Sequence, residues 1–278
     1  MRDSLDISVI IPFYNKAAMT LDCVRSLFEY GPSVKEVLLV SNNSSENELQ
    51  EIRDGIKTWN NVRLVTYNHP FNYQKINNWA ISRAVGKTIL MLNNDIELRP
   101  ASKGLLEKMY EKAQKKGVGI VGCVLLYGNE RLIQHAGVFL LPGGQADHLY
   151  VAKKYKIALE NAGSKDYPYD ISKDMPMTAV TGAAQMVRKD RFDSVGGFDE
   201  RFIICGGDVD LCLRMNAAKH QTWFVGGKYG YMLHKESQSR KFTPIPYSDF
   251  YWSFLSYSKG FDTKVGDPYL PLITEGMK

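Results

Sequence analysis

Short apolar strands alternate with segments of helical spacing through the first 116 residues, and this alternation restricts the possible folds more than any other feature. Strands are predicted at residues 7–11, 37–40, 62–65 and 88–92, and helices at residues 16–30, 46–59 and 72–85. The strands are continuous apolar runs, which is typical of strands buried on both faces. The pattern predicts an α/β fold with a mostly parallel central sheet flanked by helices.

The second half of the chain has a different character. Residues 117–141 are apolar and strand-rich, whereas residues 142–175 show little periodicity and are predicted to form a long loop or lid. The tyrosines in this segment are expected either to face a ligand at the edge of a lid or to pack within a surface loop. They are Tyr150, Tyr155, Tyr167 and Tyr169.

Composition excludes several classes of protein. The chain is 44% apolar and 23% charged, as in globular proteins, and its net charge of 35 − 30 = +5 is only mildly basic. Such a charge suits anionic ligands or an anionic membrane surface, but no Lys/Arg stripe indicates a nucleic-acid partner. The four scattered cysteines form no CxxC pair, which favours a reducing, cytoplasmic location. No Walker A, GxGxxG, GxSxG or HExxH pattern is present.

Three polar turns follow predicted strands, at Phe13–Asn15, Ser41–Ser45 and Asn93–Asp95. The carboxyl ends of parallel strands meet at one edge of the sheet, where α/β proteins bind their ligands. A carboxylate beside two neutral amides, as at Asp95, can hold a hard divalent cation and hydrogen-bond a sugar hydroxyl. The alternative is an Asx turn that caps the helix predicted near Pro100.

Two acidic residues and a histidine in the second half are further candidates. Asp208 and Asp210 follow Gly206 and Gly207 at a predicted helix start, and their spacing lets at most one of them face a given cleft. The alternative is that both only complement the helix dipole. The glycine pair permits a close backbone approach or positive φ. His234 follows a short aromatic strand, where a structural role is the alternative to metal ligation.

The order of these motifs along nearly the whole chain resembles that of family 2 glycosyltransferases, which have the GT-A fold. The resemblance implies a Rossmann-like, mostly parallel central sheet flanked by helices, with a smaller mixed part on the acceptor side. The similarity is greatest to the branch that builds bacterial surface polysaccharides, including rhamnosyl- and galactosyltransferase-like members. The matching segments are Ser8–Asn15, Val40–Ser45, Pro70–Asn78, Leu92–Asp95, Ile133–Gly137, Thr181–Gly182, Gly196–Glu200, Asp208–Arg214, His234–Ser237 and Gly266–Tyr269.

The resemblance implies inverting transfer of a sugar from a nucleotide diphosphate and assigns roles by position. Asp208 is expected to be the catalytic base, and Asp95 and His234 are expected to bind Mn²⁺ or Mg²⁺. The acceptor and sugar pocket would be shaped by Gly182, Gly206 and Gly207. The donor would be bound by Pro12, Phe13, Tyr14, Asn15, Ser41, Asn43, Asn72, Lys75, Asn78, Asn93 and Asn94.

The resemblance also implies a domain plan and partners. A single GT-A domain is expected over residues 1–240, with a nucleotide-binding half (1–116) and an acceptor and catalytic half (117–240), followed by a wrapping extension over residues 241–278. The expected donor is a UDP- or dTDP-linked sugar, and the expected acceptor is a saccharide or a lipid-linked saccharide. A lipid-linked acceptor would imply peripheral contact with the inner face of the plasma membrane. The resemblance implies no particular oligomeric state.

Three departures from the family pattern bear on function. Ser41 stands where an Asp is usual, only Asp95 remains of the DxD carboxylates, and Gly207 replaces a residue that is often acidic or Asn. The thinned DxD region and Gly207 motivate the alternative of a non-catalytic sugar-nucleotide-binding or scaffold member of a polysaccharide assembly complex. A nucleotidyltransferase would instead need a Gly-rich basic first loop, which residues 13–16 do not provide.

Overall fold

Strands and helices alternate through the first half of the chain in the computed structural model, which describes residues 4–235, 244–262, 264 and 266–275. The elements are β1 (Leu5–Phe13), α1 (Ala17–Tyr30), β2 (Val34–Ser41), α2 (Glu46–Ile56), β3 (Val62–Thr66), α3 (Tyr73–Ser82), β4 (Thr88–Leu92), β5 (Ile96–Leu98) and α4 (Leu105–Ala113). The four strands and three helices predicted for residues 7–92 are confirmed, with ends that differ by no more than three residues.

The second half adds shorter strands and the helices that close the molecule. They are β6 (Val118–Cys123), β7 (Leu125–Tyr127), β8 (Ile133–His135), β9 (Val138–Leu141), β10 (Gln145–His148), α5 (Tyr155–Glu160), β11 (Met175–Pro176), β12 (Ala184–Arg188), α6 (Lys189–Ser194), α7 (Gly207–Ala217), β13 (Gln221–Val225), β14 (Met232–His234), α8 (Tyr247–Tyr257) and α9 (Pro271–Thr274). The strand-rich character predicted for residues 117–141 is confirmed.

The main sheet has eight strands in the order β11-β13-β6-β12-β4-β1-β2-β3. β1 pairs in parallel with both β2 and β4, β2 with β3, and β6 with β13, whereas β12 runs antiparallel between β4 and β6. A smaller sheet has the order β5-β14-β7-β8, and β9 and β10 form a hairpin. This is the α/β architecture with a central sheet and a smaller mixed part that the sequence predicts.

Alternate residues of the central strands fill two different cores. Val9 and Ile11 of β1 belong to a cluster that includes side chains of α1 and α4, whereas Ile10 belongs to a cluster that includes side chains of α3 and α7. All three are fully buried. Burial of an Ile or Val side chain contributes about 1.5–3 kcal/mol. Burial on both faces explains why the strands are continuous apolar runs.

The prediction of a loop over residues 142–175 is wrong in part, because the segment contains β10 and α5. Its tyrosines belong to a buried apolar cluster or pack against it. The hydroxyl of Tyr150 donates to the backbone oxygen of Tyr169 (3.1 Å), and that of Tyr155 donates to the oxygen of Gly227 (3.0 Å). The packed alternative therefore describes these side chains, and lid motion stays a prediction.

The C-terminal helix α8 packs against α7 and β10. Its buried face carries Asp249 and Tyr257, while Phe250 and Phe254 are half exposed. The predicted domain boundary at 240/241 and the end of the motif His234–Ser237 lie outside the described residues. No helix in the described ranges combines the length and apolar character that a bilayer crossing requires.

Candidate active site

The loops after β1 and β2 are held together by hydrogen bonds. The N–H of Asn15 donates to Ser44 Oγ (2.8 Å), and Asn15 Oδ1 accepts from the N–H of Ser45 (2.9 Å). Asn43 Nδ2 donates to the backbone oxygen of His69 (2.8 Å) at the end of the neighbouring β3 segment. Asn15 and Asn43 both have positive φ, a backbone region that Asn tolerates better than most residues. The polar turns after β1 and β2 thus form one surface at the carboxyl edge of the sheet.

The other residues predicted for this donor surface differ in exposure. Tyr14 is 54% exposed, whereas Phe13 and Ser41 are buried and lie opposite each other in the parallel ladder of β1 and β2. Pro12 is half-buried, and its ladder partner is Val40. Tyr14 is therefore the side chain of this group that is best placed to stack on a base, and the donor-binding role of all of them stays a prediction.

Two of the asparagines predicted near the donor form hydrogen bonds with the protein framework, and their donor-binding role stays a prediction. Asn72 caps α3: its Oδ1 accepts from the N–H of Lys75 (2.8 Å), and its Nδ2 donates to the oxygen of Glu200 (2.9 Å). Asn78 forms two hydrogen bonds with the backbone of Phe198. Its Nδ2 donates to the Phe198 oxygen (3.0 Å), and its Oδ1 accepts from the Phe198 N–H (2.9 Å). These bonds fix α3 against the segment before α7. Lys75 is exposed on the same helix.

The three side chains of the motif Asn93–Asp95, which follows β4, each contact a different residue. Asn93 Oδ1 accepts from the hydroxyl of Tyr73 (3.2 Å), and Asn94 Nδ2 donates to Thr20 Oγ1 (3.1 Å) on α1. Asp95 Oδ1 lies 3.2 Å from His234 Nε2, and both side chains are more than nine-tenths buried. The antiparallel pairing of β5 with β14, in which His234 lies opposite Ile96, brings these two residues together.

Asp95 and His234 fit a divalent cation as a pair of ligands. A carboxylate oxygen and an imidazole nitrogen are both donors that Mn²⁺ accepts, and ligands at right angles around a small ion lie about 3 Å apart. His234 Nδ1 is buried and has no hydrogen-bond partner among the described residues. No group of three or more His, Cys, Asp or Glu side chains in those residues is placed to hold a metal. Further ligands would have to come from a bound diphosphate and water.

Asp208 lies in the first turn of α7 and faces the start of β12. Its Oδ2 accepts a hydrogen bond from the N–H of Gly182 (2.7 Å), and its Oδ1 accepts from the N–H of Val209 (3.0 Å). Asp210 points the other way, where its Oδ2 pairs with Arg214 Nε (2.7 Å). Only one of the two carboxylates faces the cleft, as the helical spacing predicts.

A cavity of about 750 Å³ is lined by both Asp208 and His234. Of the residues predicted for the site, it is lined by Asn93, Gly182, Gly206, Asp208 and His234. The imidazole that contacts Asp95 and the carboxylate of Asp208 therefore face one shared space. Asp95 itself, Gly207 and the predicted donor residues at positions 12–15, 41, 43, 72, 75, 78 and 94 do not line it.

Neighbouring side chains leave little room for a Cβ atom at the two glycines before Asp208. A Cβ on Gly206, whose φ is +88°, would lie 2.6 Å from Ser253 Oγ and 2.8 Å from the Tyr257 hydroxyl. A Cβ on Gly207 would lie 2.5 Å from the side-chain amide carbon of Gln74. The amide of Gln74 thus occupies the space that a larger residue would need, which explains why this chain has glycine at position 207.

Helix α8 supplies residues that local motifs do not reveal. The fully buried carboxylate of Asp249 accepts from the N–H groups of Ile203 (2.8 Å), Ile204 (2.8 Å) and Cys205 (3.1 Å). The hydroxyl of Tyr257 donates to the oxygen of Gly206 (2.7 Å). Burial, followed by the charge of Asp208, raises the pKa of Tyr257, so the phenol keeps the proton that it donates. Four hydrogen bonds from α8 therefore hold the segment that leads into Asp208.

A histidine pair lies beside the cavity. His135 Nδ1 and His148 Nδ1 are 2.9 Å apart, and His148 lines the cavity. Burial, followed by the neighbouring charges of His148 and His234, holds the pKa of His135 well below its usual value. Neutral His135 accepts from the N–H of Thr181 at Nε2 (3.4 Å), which places its own proton on Nδ1, facing His148.

Solved structures with this architecture are glycosyltransferases of the GT-A class. A mannosyltransferase from Pyrobaculum calidifontis, in complex with GDP-Man and Mn²⁺, superposes with a TM-score of 0.59 over 86% of this chain and 59% of its own, at 14% identity. GalNAc-T7 with UDP, GalNAc and Mn²⁺ superposes with a TM-score of 0.63 over 84% of this chain and 44% of its own, also at 14% identity. The chain has the GT-A fold.

The chain belongs to glycosyl transferase family 2, whose model matches residues 8–175. It is 37% identical to the O-antigen biosynthesis protein RfbC of Myxococcus xanthus over 97% of its own length and 20% of that protein. It is 32% identical to protein y4gI of Sinorhizobium fredii over 86% of its own length and 25% of that protein. The chain thus spans a fifth to a quarter of the length of these two relatives.

Proposed function

We propose that this glycosyltransferase transfers a sugar, with inversion, from a nucleotide-diphosphate donor to a hydroxyl of a saccharide acceptor. The observation that carries the proposal is the shared cavity, which is lined by Asp208 and by the His234 imidazole that contacts Asp95. Inverting transfer needs a base near the acceptor and charge stabilisation near the leaving diphosphate. Asp208 on α7 would be the base, and His234 on β14, together with Asp95, would provide the charge stabilisation.

Asp208 would take the acceptor proton. In this step the acceptor oxygen forms a bond to the anomeric carbon, the bond from that carbon to the diphosphate breaks, and the hydroxyl proton moves to Asp208. The bond from the Gly182 N–H (2.7 Å) fixes one carboxylate oxygen and limits rotation of the side chain. A positioned general base contributes about 10²–10⁴-fold to the rate.

Asp95 and His234 would hold Mn²⁺ or Mg²⁺, which when bound stabilises the developing charge of the leaving diphosphate. The solved glycosyltransferases that share the fold contain Mn²⁺ together with GDP-Man or with UDP and GalNAc. Tyr14 and the amides of Asn15 and Asn43 at the carboxyl edge of the sheet would bind the nucleotide. UDP- and dTDP-linked sugars are the proposed donors, and Ser41 would alter recognition of the base.

The relationship to an O-antigen biosynthesis protein supports a role in bacterial surface polysaccharide synthesis. We propose that the acceptor is a saccharide or a lipid-linked saccharide, that the reaction takes place in the cytoplasm, and that a lipid-linked acceptor would bring the enzyme to the inner face of the membrane.

The donor can be identified by a thermal-shift screen of UDP-, dTDP-, GDP- and CDP-sugars with Mn²⁺. A ligand at one hundred times its Kd stabilises the folded protein by about 2.7 kcal/mol. The stabilising donor is then incubated without acceptor, and NMR follows nucleotide release and the anomer of the sugar released to water. Release with an inverted anomer supports the proposal, and a retained anomer contradicts inversion. Binding without release, with or without saccharides, would favour the non-catalytic alternative.

A further inference from the structure

Two uncovered aromatic rings stand at the wall of the cavity that contains Asp208. Phe250 and Phe254 both line this cavity and lie four residues apart on α8, so their side chains share one helix face. They are 57% and 51% exposed, whereas Asp249 and Tyr257 on the same helix are almost completely buried. Helix α8 therefore anchors itself through polar groups and leaves two phenyl faces uncovered beside the candidate base.

The same cavity is lined by two glutamines whose side-chain amide oxygens have no hydrogen-bond partner in the described part of the chain. These oxygens are Oε1 of Gln74 and Oε1 of Gln134. Both side chains are more than nine-tenths buried. A buried polar atom left without a partner costs about 1–3 kcal/mol, and a ligand that donates hydroxyl groups would remove this cost.

We infer that Phe250 and Phe254, together with Gln74 and Gln134, form the binding site for the acceptor saccharide. The rings would stack on the C–H face of a pyranose, and the amide oxygens would accept hydrogen bonds from its hydroxyls. The inference rests on the proposed function, since Asp208 in the same cavity would deprotonate the reacting hydroxyl.

The position of the base-binding loops separates this subsite from the nucleotide site. The loops predicted to bind the base, at residues 12–15 and 41–43, do not line the cavity. Phe250 and Phe254 do line it, on the helix whose Asp249 holds the segment before Asp208.

The cavity chemistry favours a saccharide over a lipid chain as the occupant. A hydrocarbon chain would cover Phe250 and Phe254 but would leave the oxygens of Gln74 and Gln134 buried without partners. A sugar ring has both an apolar face and hydroxyl donors, and it satisfies both kinds of group.

The test uses saturation-transfer NMR with methyl glycosides of common hexoses and rhamnose, on protein without donor. Phe250→Leu and Phe254→Leu keep apolar volume but remove the ring face, so we expect binding that is weaker by up to about tenfold, which corresponds to about 1.4 kcal/mol. Gln134→Met is expected to weaken binding without affecting the rings. The control Tyr247→Leu alters a residue that is 85% exposed and outside the cavity, and should change nothing.

Three results would overturn the inference: no glycoside binds, the Leu variants bind glycosides as well as the unmodified protein, or phospholipid vesicles displace the bound glycoside. Hydrolysis of the donor to water is measured separately on the unmodified protein. If hydrolysis occurs but no glycoside binds, the subsite is wrong and the proposed function stands. If glycosides bind but no donor is hydrolysed, the proposed function is at fault.

Discussion

Asp208 Oδ2 accepts a 2.7 Å hydrogen bond from the backbone N–H of Gly182, which lies 26 positions earlier in the chain. The bond joins the start of α7 to the segment before β12, and the Tyr73 hydroxyl lies 3.0 Å from the oxygen of the same Gly182. A Cβ on Gly182 would come within 3.1 Å of the Asp208 Cβ, so glycine permits this approach. The candidate base is thereby fixed relative to the central sheet.

Metal removal should abolish transfer and hydrolysis. Excess EDTA is expected to stop nucleotide release, and added Mn²⁺ to restore it, because Asp95 and His234 would hold the ion at the leaving diphosphate. Asp95→Asn should raise the Mn²⁺ concentration needed for half-maximal rate by at least about tenfold. Glu97→Gln is the matched control, because Glu97 lies two positions further along the chain, on β5, and pairs with Arg99 and Lys235. Full activity in EDTA would rule out the metal site.

Asp249→Ala should lower turnover while leaving donor affinity nearly unchanged. The variant loses the acceptor for three backbone N–H groups in the segment before Asp208, and we expect at least about 2 kcal/mol of lost stability. Below the melting transition, kcat for donor hydrolysis should fall more than tenfold. Ser248→Ala, at the preceding position of α8, serves as the control. Unchanged kcat in a folded Asp249→Ala protein would show that the segment is positioned without α8.

Stability should depend on pH through His135. The pKa of this buried histidine is held well below its usual value, whereas in the unfolded chain it is about 6.5. Below that pH the unfolded state binds a proton that the folded state excludes, so stability falls as the pH decreases. The loss is at most about 1.4 kcal/mol per pH unit. Urea unfolding at pH 7.5 and 5.5 should show a smaller loss for His135→Gln, and equal losses would contradict the account.

The Gly207 contact can be tested by a pair of substitutions. Gly207→Ala should destabilise the protein by about 1–3 kcal/mol, because its Cβ would collide with the side chain of Gln74. Gln74→Ala frees that space, so the double variant should be more stable than Gly207→Ala alone. Additive losses in urea unfolding would show that the two side chains do not compete.

The sequence was sufficient to predict the fold of the first half because each central strand is buried on both faces. Ile10 and Ile11 face different cores and both must be apolar, so the strand is visible as a continuous run. Residues 142–175 lacked such a signal, since short elements such as α5 bury only Ala158. A segment that packs through tyrosine hydroxyl bonds shows no periodicity and resembles a loop.

The site was only partly predictable. Asp208 and Gly206 carry a local helix-start signal, but Asp95 and His234 meet through pairing of β5 with β14, which spacing alone does not reveal. Asp249 was missed because it acts on backbone groups 44–46 positions away and has no motif of its own. A polar residue within an aromatic helix was the single available signal. The orphaned oxygens of Gln74 and Gln134 are properties of the packed structure.

The central claim is that the carboxylate of Asp208 acts as the base in a cavity it shares with His234. The most direct measurement compares donor binding and nucleotide release for Asp208→Asn and Asp210→Asn in saturating Mn²⁺. Asp208→Asn should bind donor normally and lose about 10²–10⁴-fold in turnover. Asp210→Asn removes the negative charge that pairs with Arg214, so the variant should lose stability but keep its turnover. Near-normal turnover in Asp208→Asn would contradict the account.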